Sequence, residues 1–292
     1  MANLFPKISI ITPSFNQADY LEQTILSILE QQYPNLEYIV IDGGSTDGSL
    51  DIIRKYENQI AYWVSEKDNG LYHALQKGFE KSTGEIMAWL NSDDLYQKNS
   101  LFAVAKVFSQ HKNINWVMGK NSWYDESGLG VELKYGLMQE SWSKWRLATE
   151  KKAHIQQEST FWRRGLWQKA GGHISQQYKL AGDFELWSRF YEHDSLITCN
   201  IRLAGFRLRN ENQKSLDQIG IYQQEQEVIL SNLFNDSKNK WKLVCIKAGL
   251  LLVDLLSAGK FRNKLKTKLL KLSPILYYEP RTGMKLIKPY KR

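Results

Sequence analysis

Two adjacent carboxylates, Asp93 and Asp94, follow the apolar run 85–90 (EIMAWL) with Asn91 and Ser92 between. Like charges this close repel unless a cation or strong donors stabilise them. Carboxylate oxygens suit Mg²⁺ or Mn²⁺, and two protein ligands leave coordination places for phosphate oxygens. A solvated turn or helix cap is the plain alternative. A second cluster runs from Asp42 through Gly43, Gly44, Ser45, Thr46, Asp47 and Gly48. It offers an acceptor at a strand end and a loop whose backbone can approach a ligand closely; a tight turn capped by Thr46 or Asp47 would use the same residues. The first-strand G-x-G-x-x-G of dinucleotide enzymes is absent, which disfavours hydride transfer. Arg163 and Arg164 could hold a diphosphate or an anionic acceptor, or form a solvated strand edge. His111, His154, His173 and His193 lack the H-x-x-x-H spacing and read as surface or structural residues, with His154 the one worth testing. Trp162, Trp167 and Trp187 read as core.

The elements that position these clusters alternate. Residues 7–12 (KISIIT) form an apolar, β-branched run suited to a strand covered on both faces, and residues 17–31 repeat Leu21, Ile25, Ile28 and Leu29 at helical spacing, with Asn16 as the expected cap. A strand over 38–42 (YIVID), a helix over 50–56 and a short strand at 62–64 follow. Next come a helix through Leu71, Leu75 and Phe79 that Gly84 should end, a strand over 85–90 and a helix over 100–110. This pattern predicts a doubly wound, mostly parallel sheet. Ligands bind beyond the carboxyl ends of such strands, where residues 12–16, 42–47 and 91–94 would lie. After residues 116–119 the pattern loosens into loops and short strands over 123–152. Helical spacing resumes at 182–191 and 214–234.

The chain has 292 residues, 42% hydrophobic and 24% charged, enough for one large core. Two cysteines, Cys199 and Cys245, supply neither a disulfide framework nor a four-ligand zinc site, and residues 1–7 carry no signal-peptide pattern. A cytoplasmic location is expected. Residues 236–292 hold 15 Lys/Arg against 3 Asp/Glu, or +12, which leaves −4 on the rest of a chain whose total is +8. The basicity therefore belongs to the tail. Its longest charge-free apolar stretch, 248–253, is far short of the ~20 residues a bilayer crossing requires. The pattern of Lys260, Arg262, Lys264, Lys266, Lys268 and Lys271 among leucines instead fits an amphipathic helix on anionic lipid, or a helical pair packed on the body.

The run ISIITPSFNQADYLEQTILSILEQQYPNLEYIVIDGGSTDGSLDIIRKY, then SEKDNGLYHALQKGFEKSTGEIMAWLNSDDLY, resembles the nucleotide-binding half of family 2 glycosyltransferases of the GT-A fold. The likeness is strong over residues 7–112, and QQESTFWRRGLWQKAGG with KLAGDFELWSRF extends it to about 191. The resemblance implies a donor site in which Thr12, Pro13 and Ser14 lie along the nucleotide, Asp42 contacts base or ribose, and Asp68 sits near uracil or diphosphate. It makes Asp94 the metal ligand, with Asp93 facing ribose or metal-bound water, and Asp183 the general base of an inverting reaction. Relatives commonly carry a second aspartate where this chain has Gly43, so the carboxylate that reads uracil in them is absent or supplied elsewhere. His73, Gln76 and Asn210 also replace residues common in relatives, and Asn210 is a poor metal ligand.

These readings imply a metal-dependent transferase of a sugar from a nucleotide diphosphate sugar, with UDP the expected carrier. The acceptor would be a saccharide or lipid-linked saccharide, in surface polysaccharide assembly on the cytoplasmic face of the inner membrane. The expected organisation is a catalytic domain over 1–235, divided into a nucleotide-sugar half (1–112) and an acceptor half (113–235), with a basic, amphipathic helical extension over 236–292. A nucleotidyltransferase would show a basic Gly-rich loop after the first strand, which residues 12–16 lack. A non-enzymatic polyanion binder fits the tail but not the acidic body, and nucleic acid is not an expected partner.

Overall fold

The structure, a computed structural model, describes residues 5–131, 141–150, 155–209, 217–257, 259–279 and 283–287. His154 and Asn210 lie outside the described residues. Strands β1 (Ile8–Ser14), β2 (Leu36–Asp42), β3 (Tyr62–Ser65) and β4 (Ile86–Trp89) run parallel in the order β3-β2-β1-β4. Between and after them come α1 (Ala18–Leu29), α2 (Ser49–Lys55), α3 (Leu71–Lys81) and α4 (Ser100–Gln110). Every residue of β1, and all but the first of β2, is buried, as a two-sided cover requires. Helix α3 ends at Lys81 with Ser82 as its C-cap, so Gly84 does not end it. Gly84 instead lets the chain meet β1: its N–H donates to Ser9 Oγ at 2.7 Å, and a Cβ there would lie 2.5 Å from that oxygen.

The short strands β5 (Leu95–Tyr96), β6 (Trp116–Met118), β7 (Trp123–Tyr124) and β8 (Gly130–Val131) precede α5 (Lys144–Thr149), β9 (Thr160–Arg163) and α6 (Arg164–Lys169). Strand β9 inserts antiparallel between β4 and β6. Helix α7 (Gly182–His193), β10 (Ile197–Cys199), β11 (Ala204–Arg207) and α8 (Ile219–Leu233) follow. A smaller sheet orders β5-β11-β7-β8 across the carboxyl-end side of the main one. The tryptophans serve the core. Trp89, Trp162 and Trp187 are almost wholly buried, and Trp89 stacks on Trp187 with centroids 5.7 Å apart and planes 11° apart.

The tail departs from the all-helical expectation. Helices α9 (Ser237–Leu256) and α10 (Gly259–Leu269) form a hairpin joined by a Lys266–Asp254 ion pair of 2.6 Å. Beyond them β12 (Ile275–Glu279) pairs parallel to β10 and β13 (Gly283–Ile287) pairs antiparallel to β12, so the main sheet reads β13-β12-β10-β6-β9-β4-β1-β2-β3. The aromatic run ILYYE has strand propensity, and β10 would otherwise present an unpaired edge. The hairpin packs on the body through Ile246 and Leu270, which cluster with Trp145 and Phe234. Its other face is bare: Trp241, Leu251, Leu255 and Leu256 are 67–81% exposed.

Candidate active site

Two turns at the carboxyl ends of the parallel strands use their aspartates differently. After β2, Asp42 is fully buried, and its Oδ2 accepts from the N–H groups of Gly44 (3.0 Å) and Ser45 (2.8 Å) and from Ser65 Oγ (2.6 Å). Its Oδ1 accepts from Ser45 Oγ at 2.5 Å. Bonds to a charged acceptor contribute about 1.5–3 kcal/mol each, so the carboxylate holds the loop's shape, including Gly44 at φ +83°. Asn16 does not cap α1; it sits at φ 51° and accepts from Thr46 N. The cap comes from the neighbouring turn, where Asp47 Oδ2 accepts from Ala18 N at 2.9 Å and Oδ1 from Ser49 N and Oγ. Burial alone would raise the Asp47 pKa, but these donors outweigh it and lower it.

The turn after β4 leaves its carboxylates less satisfied. Asp94 is 1% exposed; Oδ1 accepts from Arg207 N at 2.9 Å, and Oδ2 has a long 3.3 Å bond from Asn91 Nδ2. Burial, then the charges of Asp93 and Glu158, push its pKa well above the ordinary carboxylate value. Asp93 Oδ2 lies 3.3 Å from Arg209 Nε. Burial raises its pKa too, against the opposing charge of Arg209. Arg207 is wholly buried and braces the turn by donating to the carbonyls of Asp93 and Glu126 and to Gln23. Gln157 ties the turn to the sheet: its Nε2 donates to Trp89 O at 2.8 Å and its Oε1 receives Asn91 Nδ2 at 3.4 Å.

Two further buried carboxyls extend from this turn, Glu158 acting on Asp94 and Asp183 acting on Glu158. Asp183 stands in the first turn of α7, and its Oδ1 is shut off from water without a hydrogen-bond partner among the described residues. Burial lifts its pKa to about 7. Glu158, in the 3₁₀ turn Gln157–Ser159 before β9, is 3% exposed with Oε1 equally unpartnered. Burial lifts its pKa to about 8, and the charges of Asp183 and Asp93 add to the rise. Ser14 Oγ, Asn91 Oδ1 and Tyr96 OH are further buried polar atoms without partners among the described residues at these strand ends. Buried polar groups are normally hydrogen-bonded, so such a concentration marks groups awaiting a ligand.

The remaining expected residues distribute as follows. Thr12 is fully buried in the sheet and its hydroxyl accepts from Tyr38 OH at 3.1 Å, while Pro13 and Ser14 complete the buried end of β1. The exposed Phe15 follows them. The Asp68 carboxylate lies against Gly43: a Cβ there would come within 3.0 Å of Asp68 Oδ2. The missing side chain at 43 thus leaves room for a carboxylate from another loop. Arg163 and Arg164 are consumed at the opposite ends of the strands, donating to Ile114 O and Phe108 O and to Gly84 O respectively. Glu158, Gln157, Arg207 and Arg209 were not legible as site residues. The signal that could have marked Glu158 was a lone acid just before the β-prone run TFW.

Among the described residues no three His, Cys, Asp or Glu side chains gather to hold a metal. The hard-oxygen pair Asp93 and Asp94 nevertheless fits a divalent cation held at two points and completed by ligand oxygens, because Asp94 is buried with too little compensating positive charge.

The sequence profile described as Glycosyl transferase family 2 matches residues 9–160. The putative teichuronic acid biosynthesis glycosyltransferase TuaG of Bacillus subtilis is 40% identical over 104 residues, 35% of this chain and 41% of that protein. A PGL/p-HBAD biosynthesis glycosyltransferase of Mycobacterium bovis is 28% identical over 197 residues, covering 66% and 73% of the two chains. The chain spans less than half the length of the first curated relatives it matches. Among solved structures, S. aureus TarS 1–349 in complex with UDP-GlcNAc superposes with a TM-score of 0.60 at 18% identity, over 89% of this chain and 86% of that one. The Pyrobaculum calidifontis mannosyltransferase PcManGT in complex with GDP-Man and Mn²⁺ gives 0.54 at 20% identity, over 90% and 79%. At these identities the likeness is one of fold, the GT-A arrangement of helices on a mostly parallel sheet.

Proposed function

The chain belongs to glycosyltransferase family 2, and from that premise we propose that it is an inverting, metal-dependent transferase that moves a sugar from a UDP-sugar to a saccharide or lipid-linked saccharide of the cell surface. The observation that carries the reading is a chain of buried carboxyls at the strand ends, in which Asp93 and Glu158 raise the proton affinity of Asp94 and Asp183 raises that of Glu158. Structural carboxylates do not need such an arrangement; general bases and diphosphate sites do.

The donor lies over the ends of β1 and β2. Asp68, in the space beside Gly43, reads the base or its ribose, and exposed Phe15 offers a flat apolar surface to the base. Asp94 and Asp93 would hold Mn²⁺ or Mg²⁺, which supplies charge neutralisation for the departing diphosphate. Asp183 Oδ1 takes the proton of the acceptor hydroxyl as that oxygen attacks the anomeric carbon, and the bond from that carbon to the diphosphate breaks on the opposite face. A pKa near 7 leaves Asp183 largely ionised just above neutrality and able to accept a proton. Arg209 sets Asp93 by its ion pair. The nucleotide sugars in the TarS and PcManGT complexes support this class of donor.

The bare face of the α9–α10 hairpin, flanked by lysines and arginines, supports peripheral attachment to an anionic bilayer on the cytoplasmic side, where lipid-linked acceptors are presented. Among the described residues no helix is long and apolar enough to cross a membrane.

Calorimetric titration of UDP, with GDP and ADP as controls, with and without Mn²⁺, tests the donor reading on wild type and Asp94→Ala. Metal-dependent UDP binding lost in the variant is the expected result. Absence of binding to every nucleotide under every metal would overturn it.

A further inference from the structure

A second polar site lies where the tail meets the body. Ser143, Lys144, Trp145, Tyr191, Ser195, Asn239, Lys242 and Lys271 line a cleft of about 240 Å³ between the start of α5, the end of α7 and the first turns of α9. Three of these residues are lysines drawn from three separate segments. Lys144 and Lys242 both stand over the Trp145 ring, at 5.4 and 5.0 Å from its centroid. Among the described residues the carboxylate paired with any of the three is Glu192, 3.4 Å from Lys144. The Lys271 ammonium, beside that of Lys242, lowers the Lys242 pKa first, and the charge of Lys144 adds to the effect.

Like charges are not normally packed together without an anion between them. A further observation points the same way. Tyr191 lines the cleft, is 9% exposed, and its hydroxyl is sheltered from water with no hydrogen-bond partner among the described residues. Lys271 sits at φ 49° just beyond α10, a left-handed position that favours glycine or asparagine.

We propose that this cleft binds a phosphomonoester or diphosphate group, gripped by Lys144, Lys242 and Lys271 with the Tyr191 hydroxyl as a further donor. It is separate from the donor turns and does not rest on the proposed transfer chemistry. The phosphate comes either from a lipid headgroup, since the neighbouring Trp241 is 70% exposed on the bare hairpin face, or from a soluble phosphorylated molecule.

The test uses the full chain in EDTA, which keeps metal-dependent binding at the Asp94 turn out of the signal. Inorganic pyrophosphate is titrated calorimetrically into wild type, Lys242→Gln/Lys271→Gln, and a control of equal charge change at exposed body lysines, Lys98→Gln/Lys112→Gln. Affinity should fall at least tenfold in the cleft variant and less than twofold in the control. Lys271→Asn should raise the thermal midpoint of the free protein by relieving the left-handed strain while weakening pyrophosphate binding, which a purely structural lysine would not do. Co-sedimentation with phosphatidylcholine vesicles doped to equal charge with phosphatidic acid or phosphatidylglycerol then separates the sources. A preference for the monoester lipid, lost in the cleft variant, assigns the headgroup; pyrophosphate binding without lipid preference assigns a soluble phosphate. Equal pyrophosphate affinity in wild type and cleft variant, or none in the wild type, overturns the proposal.

Discussion

The turn after β2 and the turn after β4 both place a buried aspartate at the end of a central strand, yet Asp42 receives four close hydrogen bonds and Asp94 one good bond and one long one. The first carboxylate is consumed by its own loop. The second, with the charges of Asp93 and Glu158 acting on it, keeps a raised proton affinity and open coordination. Sequence treats the two as similar Asp-rich turns; what separates them is where the donors are.

That contrast is open to direct attack. Replacing Asp183 by Asn should lower transfer by about 10³-fold, within the range of general-base contributions, while nucleotide affinity measured calorimetrically stays within twofold; retained turnover would remove Asp183 as the base. Asp94→Asn should lower transfer by about 10²-fold or more and abolish its response to Mn²⁺, with a thermal midpoint within a few degrees of wild type because the amide still accepts from Arg207 N. Asp42→Ala should do the reverse, losing about 2–4 kcal/mol of stability in urea unfolding as the Gly44 and Ser45 donors are orphaned; an unchanged midpoint would mean the β2 turn is not held by its aspartate. The pH profile of kcat should rise through about 7, since an acid with a raised pKa accepts protons only once ionised. By the same linkage the folded state prefers the protonated Asp183, so its contribution to stability is present near pH 4 and is lost as pH rises to about 7. Asp183→Asn should flatten that decline in a series of thermal melts. The smallest effect is expected for Gly43→Ala, whose Cβ presses on Asp68 and should weaken nucleotide binding about three- to tenfold without moving the metal response.

Much of the nucleotide-binding half was legible because its strands are buried on both faces and its helices on one, which forces continuous apolar runs and 3.6-residue periods into the sequence. Helix α4 falls on residues 100–110 as the spacing predicts. The capping pattern was not legible: Asp47 caps a helix that starts 29 residues earlier, and no local rule sees across two turns. The antiparallel β9 and the terminal β12 and β13 were missed for a related reason, since strands of four or five residues carry little periodicity and are recruited by whatever edge is open.

The sequence by itself determined the alternation of strands and helices, the positions of Asp93, Asp94 and Asp183, and the concentration of positive charge in the last 57 residues. These follow from residue type and local spacing. Tertiary structure decided which aspartates are spent on the fold and which are left for chemistry. It also placed Asp68 beside Gly43, brought Glu158 to the Asp94 turn, and gathered lysines from three separate segments at one cleft. Hydrogen-bond satisfaction and the field at a buried carboxyl depend on neighbours brought from as far as 113 residues away, as Arg207 is to Asp94, and only the folded chain assembles them.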